Sequence, residues 1–185
     1  MMNLEQIKAR MPEYARDIKL NLSTVLGGTG TPGLTEGQAL GTALACAVAV
    51  KSNALAEAVE QVAGEKLDPA RRNAARAAAA VMAMNNVYYR FTHFVGDEEY
   101  RKLPARLRMN VIGNPGIDKA EFELYSLAVS AINGCEFCIQ AHEKVVREAG
   151  IGREGVQSAA RIAAVIAAAA SVLATAPEVA TAEAA

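Results

Sequence analysis

Hydrophobic and polar positions recur with a helical period along most of the chain, and no segment shows the strict alternation of a half-buried strand. Alanine-rich runs, high in helix propensity, are punctuated by Pro12, Pro32, Pro69, Pro104, Pro115 and Pro177, each placed where a helix can begin or end. The pattern predicts an amphipathic segment from Leu4 to Leu26, broken or kinked near Pro12, then a loop from Gly27 to Gly33. Thr35 caps a helix to about Lys51, and another runs from Asn53 to about Glu65. Asp68-Pro69 is an N-cap and first-turn pair that opens a long helix to about Phe91. An irregular stretch follows, with a short helix near Arg106 to Ile112 and a turn at Asn114-Pro115-Gly116. Asp118 and Glu121 have capping-box spacing, with Asp in place of Ser or Thr, and start a helix that ends at Asn133-Gly134. The next carries Cys135 to Ala149, and the last runs from about Arg153 to Ala174. The tail after Pro177 is expected to fray.

At 185 residues the chain fits one compact domain, or two small halves sharing a core. Two segments align at an offset of about 85 residues. Asn73 to Ala79 falls on Ser158 to Ala164, and Gly33-Leu34-Thr35 falls on Gly116-Ile117-Asp118. The expectation is a duplicated helical unit, with halves at about residues 1–95 and 96–185. In that alignment Ser52 and Leu55 stand opposite Cys135 and Cys138, so only the second half carries chemistry.

A formal charge of -1 argues against a nucleic-acid binder, which needs a basic face. The apolar stretches Ala39 to Val50 and Ile162 to Ala174 fall short of the roughly 20 residues that span a bilayer, and both read as buried helices. Met1 to Gln6 lacks a signal-peptide pattern, so the expectation is a cytoplasmic protein without membrane contact. Three cysteines are too few for a secreted disulfide scaffold. In a reducing compartment a close pair points to redox or metal chemistry.

That pair is Cys135-Glu136-Phe137-Cys138, with His142 four residues on. At the start of a helix, unpaired N–H groups and the dipole stabilise a thiolate, and residues three apart lie within reach of a disulfide. His142 falls one turn beyond Cys138 on the same face, able to take its proton directly or through water. If the helices fold back at Gly134, Glu123 and His142 come within about 5 Å along the axis, so the carboxylate can orient the imidazole. Two inert buried thiols remain a bland alternative. A zinc site drawing on Cys135, Cys138, His142 and Glu123 is the other, although the second ligand pair usual in structural zinc sites is missing. Covalent haem is excluded, because Ile139 stands where His must follow the second cysteine.

The segment from Glu123 to His142 resembles the active-site pattern of the alkyl hydroperoxide reductase D family, also called the alkylhydroperoxidase-like or carboxymuconolactone-decarboxylase-like group. Pro12 to Leu22, Met84 to Arg90 and Arg108 to Ile117 are similar to other segments of these proteins, so the resemblance is full length. It implies an all-α, multi-helical bundle, a homotrimer, and an antioxidant thiol oxidoreductase that reduces organic hydroperoxides or regenerates a partner peroxiredoxin of the alkyl hydroperoxide reductase C type. It also implies a Cys135–Cys138 disulfide that dihydrolipoyl groups of a lipoylated 2-oxoacid dehydrogenase component reduce, with no bound cofactor. By position, Cys138 is the peroxide-attacking thiol that passes through a sulfenic acid. Cys135 is the proton donor and resolving thiol, and His142 and Glu123 are the proton relay. Some relatives have His before the second cysteine where Phe137 stands here, a change expected to lower direct peroxidase turnover more than thiol exchange. The rival readings are a carboxymuconolactone-decarboxylase-like enzyme on the same fold, against which the CxxC argues, and a zinc-binding or redox-sensing module.

Other features point elsewhere. Gly28 to Gly33 matches G-x-G-x-x-G, but a helix rather than a strand precedes it, so it reads as a flexible loop. Cys46 reads as a small core residue and His93 as a cap or surface group. Tyr88, Tyr89, Phe91 and Phe94 read as core or subunit contact, and Arg71, Arg72 and Arg76 as a solvated face.

Overall fold

The computed structural model describes residues 2–176. Among them there are ten α-helices and no strand. The helices are α1 (Leu4–Ala9), α2 (Arg16–Leu26), α3 (Glu36–Ala49), α4 (Asn53–Ala63), α5 (Pro69–Phe94), α6 (Glu99–Lys102), α7 (Asn110–Gly113), α8 (Lys119–Ile132), α9 (Glu136–Glu148) and α10 (Arg153–Thr175). The fold is all-α, as expected. The tail after Pro177 lies outside the described residues.

Side-chain caps decide most helix starts. Asn3 with Gln6 and Thr35 with Gln38 each form a reciprocal capping box, while Ser52 and Asp68 each cap their helix one way. The break near Pro12 is a single 3-10 turn over Glu13–Ala15. α5 runs three residues past the expected end at Phe91. Between α5 and α8 the short helices are α6 and α7, rather than one over Arg106 to Ile112.

The start of α8 departs from expectation. Asp118 accepts from the Glu121 N–H, but the Glu121 side chain does not return the bond. Its carboxylate turns inward, taking the Tyr125 hydroxyl and Arg71 Nε at 2.9 Å. A charged guanidinium and a buried phenol are stronger partners than one exposed backbone amide. Arg71 is therefore a buried carboxylate's counter-ion, not part of a solvated face. Arg72 likewise donates to the carbonyls of Leu67 and Gly64, and Arg76 pairs with Glu60 at 2.8 Å.

α3 and α8 form the centre. Nine successive residues of α3 from Ala39 to Ala47, and ten of α8 from Glu121 to Ser130, are buried. α3 packs on α4, α5, α8 and α10, while α8 packs on α9, α10, α3 and α5. The order of a central helix, a shorter partner and a long flanking helix thus occurs twice. Small side chains allow the close approach. At Gly41 an added Cβ would lie 2.0 Å from the hydroxyl of the fully buried Tyr125. α10 is long and apolar enough by composition to cross a membrane, yet it lays Ser158, Ala159, Ile162, Ala163, Ile166 and Ala169 against this core.

The glycine-rich loop between α2 and α3 is tied down rather than flexible. Ser158 Oγ donates to Pro32 O at 2.7 Å and Arg161 Nη1 to Gly30 O at 2.8 Å. Gly33, at φ +77°, abuts the backbone of Gly155, where a Cβ would come within 2.6 Å of the Gly155 nitrogen. Phe91 and Phe94 are 51% and 69% exposed, so neither belongs to the core.

Candidate active site

α8 and α9 form an antiparallel hairpin about Gly134, whose φ of +64° is open to glycine at little cost. Arg90 on α5 fastens the turn by donating to Asn133 O at 2.6 Å. Cys135 is extended (φ −92°, ψ 93°) and is the N-cap of α9, one residue outside the helix in which the sequence pattern placed it. Cys138 lies in the first turn, among the N–H groups that have no carbonyl partner within the helix. The two are joined by a disulfide with Cα atoms 5.3 Å apart, and both are buried.

The hairpin register brings Glu123 of α8 beside His142 of α9. Glu123 Oε2 lies 2.5 Å from His142 Nδ1, with the two side chains 5% and 12% exposed. The other ring nitrogen faces a sulfur of a different kind: Nε2 is 3.2 Å from Met82 Sδ on α5. Among the described residues, neither disulfide sulfur accepts a hydrogen bond from the ring. With both cysteine sulfurs bonded to each other, no group of three or more His, Cys, Asp and Glu side chains among the described residues is arranged to hold a metal ion.

Around this centre lie residues that the sequence pattern did not single out for chemistry. Asn86 Nδ2 donates to Ser130 Oγ at 2.9 Å, and Asn133 Nδ2 donates to Asn86 Oδ1 at 2.9 Å. Two adjacent asparagines inside an alanine-rich helix run against helix propensity, and that was the available signal. Phe137, between the cysteines, turns outward and stacks on Tyr89 with ring centroids 5.4 Å apart. It forms one wall of a cavity of about 370 Å³ that Tyr88, Tyr100 and Leu103 also line. His93 bridges to the start of α9, 3.4 Å from Glu136 Oε2 and 3.0 Å from Arg101 Nη2. Burial pushes the Cys46 thiol far above its ordinary range, so it is a protonated core residue.

Known proteins are close to this chain in sequence. An alkyl hydroperoxide reductase AhpD of Rhizorhabdus wittichii is 54% identical over 95% of this chain and 99% of its own length. The chain belongs to the AhpD family. A second AhpD, of Rhodospirillum centenum, is 52% identical over 93% of this chain and 91% of its own, and one of Coxiella burnetii is 52% identical over 88% and 92%. Residues 98–182 also match the Carboxymuconolactone decarboxylase family, a span that contains the whole α8–α9 hairpin. The resemblance carried by Pro12 to Leu22, Met84 to Arg90 and Arg108 to Ile117 is therefore AhpD family membership.

Proposed function

We propose that this chain is an alkyl hydroperoxide reductase whose Cys135–Cys138 pair cycles between dithiol and disulfide. The observation that carries this reading is the disulfide at the start of α9, one helical turn from an imidazole backed by a buried carboxylate. In the reduced form, His142 supported by Glu123 takes the proton of Cys138, whose thiolate the first turn of α9 stabilises. The thiolate attacks one oxygen of ROOH, and the O–O bond breaks. The departing alkoxide takes the proton from His142 and leaves as ROH. Cys138 is now a sulfenic acid. The Cys135 sulfur attacks it, and the sulfenic oxygen departs as water with the Cys135 proton. One hydroperoxide and two thiols thus give one alcohol, one water and one disulfide.

Restoring the thiols requires a two-electron dithiol. A dihydrolipoyl group on a lipoylated 2-oxoacid dehydrogenase component is the proposed reductant, and a peroxiredoxin of the AhpC type is the proposed protein partner. A homotrimer working in the cytoplasm completes the proposal. The exposed Phe91 and Phe94 supply apolar surface compatible with subunit contact.

Intact-mass counting of alkylatable thiols tests the core of this reading. One equivalent of organic hydroperoxide should remove two of the three thiols, and Cys138→Ser should abolish that loss. Lipoylated carrier domain, but not its unlipoylated form, should restore them. A Cys138→Ser protein with normal dithiol-dependent peroxidase activity would refute the assignment.

A further inference from the structure

A methionine inside an alanine-rich helix ordinarily meets carbon. Met82, only 1% exposed, meets two donors and a ring nitrogen instead. His142 Nε2 lies 3.2 Å from its Sδ, Ser130 Oγ 3.6 Å and Asn86 Nδ2 3.8 Å. A thioether has lone pairs and no proton to give. On the other side of the ring, Nδ1 faces the Glu123 carboxyl group at 2.5 Å. Neutral imidazole has one N–H and one lone pair, so it can serve only one of two acceptors.

We propose that Met82 is a positioning residue for the relay: its thioether accepts the His142 Nε2–H in the disulfide state and so keeps the Glu123–His142 pair loaded with two protons, one on Nε2 and one between Nδ1 and Oε2. The consequence falls on the reductive half of the cycle, and in that respect it rests on the function proposed above. A reductant thiolate, its proton released to solvent, attacks one cysteine sulfur. A mixed disulfide forms, the Cys135–Cys138 bond breaks, and its electron pair goes to the other cysteine. That thiolate is a stronger acceptor than a thioether and takes a proton from the loaded pair. The second reductant thiol attacks the mixed disulfide, and the last cysteine leaves as a thiolate that takes the proton this thiol gives up. The proton first released to solvent balances the one the pair takes from solvent once the disulfide has formed. Two thiols and one disulfide give one disulfide and two thiols, and the pair is left with one proton and the free ring nitrogen that accepts the Cys138 proton in the oxidative half.

The test reads the ring directly. The chain has two histidines, so ¹⁵N-histidine labelling of the oxidised protein gives two rings, and His93→Gln assigns them. Both nitrogens of His142 should carry protons, with Nε2–H protected from solvent exchange. Met82→Leu keeps the volume and removes the acceptor, so that protection should be lost. Its disulfide should be reduced by dihydrolipoamide about 10-fold more slowly, less than the 10²–10⁴ expected when an acid–base group is deleted. Met82→Gln, which offers an amide oxygen, should recover the rate to within about 3-fold, on the scale of one neutral hydrogen bond. A packing role alone predicts the reverse order, with Leu tolerated and Gln harmful. A bare Nε2 in the parent protein overturns the proposal, and that measurement stands even if the Leu variant fails to fold. A protected Nε2–H in a protein that consumes no hydroperoxide would refute the proposed function and leave this inference standing.

Discussion

Replacing Glu123 by Gln keeps the shape of the side chain and removes its charge, which isolates what the carboxylate does for His142. Both side chains are largely sealed from water, and their closest atoms are 2.5 Å apart. With charge centres about 4 Å apart and an effective dielectric constant near 20, their attraction is about 4 kcal/mol. The glutamine oxygen still accepts one hydrogen bond, which retains about 1 kcal/mol. Roughly 3 kcal/mol of support for a protonated imidazole is therefore lost, about a 10²-fold slowing of a step in which the ring takes up a proton. Reduced protein mixed with one equivalent of organic hydroperoxide, then quenched under denaturing conditions with an alkylating agent, reports that step by mass. Three labels per chain should become one, and Glu123→Gln should delay the change about 10²-fold with little change in thermal midpoint. A delay of less than about 3-fold, under 1 kcal/mol, would show that the carboxylate is not coupled to the chemistry.

Other positions test the scaffold. Gly41→Ala should lower stability by about 1–3 kcal/mol, because Tyr125 cannot retreat from the added Cβ without giving up its bond to Glu121; a calorimetric midpoint lower by several degrees checks this. Lys51 holds a left-handed backbone (φ +58°) before α4, as Gly134 does before α9, so Lys51→Gly should stabilise by about 0.5–1 kcal/mol in urea unfolding. Burial moves the ionisation of Cys46 to higher pH, by desolvation alone, and that of Tyr125 likewise, first by desolvation and then by the Glu121 bond. Both groups stay protonated in the folded chain while the unfolded chain loses protons above its ordinary values of 9.0 and 10.0. Stability should therefore be full below pH 9 and fall above it, by up to about 1.4 kcal/mol per pH unit per group, and Cys46→Ala should remove the first part of that slope in denaturant titrations.

The helices were legible because their starts are local. Thr35, Asp68 and the break at Pro12 are decided within one turn of chain, and side chains three residues apart need no tertiary information. Asp118 and Glu121 had the same spacing and misled in one respect, since the partner that drew the Glu121 carboxylate away, Arg71, lies 50 residues distant. The pairing of Glu123 with His142 could be counted from the rise per residue once Gly134 was read as the turn. Met82 could not, because its approach to His142 depends on how α5 docks across the hairpin, 60 residues away in sequence. Arg71 and Arg72 looked solvated for a similar reason: a pattern of charges does not reveal which buried carbonyl or carboxylate will claim them.

The same sixty residues separate the hairpin's His142 from the Met82 thioether that meets it. The α8–α9 hairpin contributes the disulfide, His142 and Glu123, while the turn at Lys51 that leads to Ser52 and α4 contributes none of these. α5 supplies Met82, Asn86 and Arg90 to the far side of the imidazole and to the hairpin turn. A lone α8–α9 hairpin would leave Nε2 of His142 open to water and free to exchange its proton with solvent. Against α5 the same nitrogen meets a buried acceptor that cannot donate, so the proton stays on the ring until a thiolate competes for it. On the proposal that Met82 holds the ring proton, α5 thus governs when the hairpin gives that proton up.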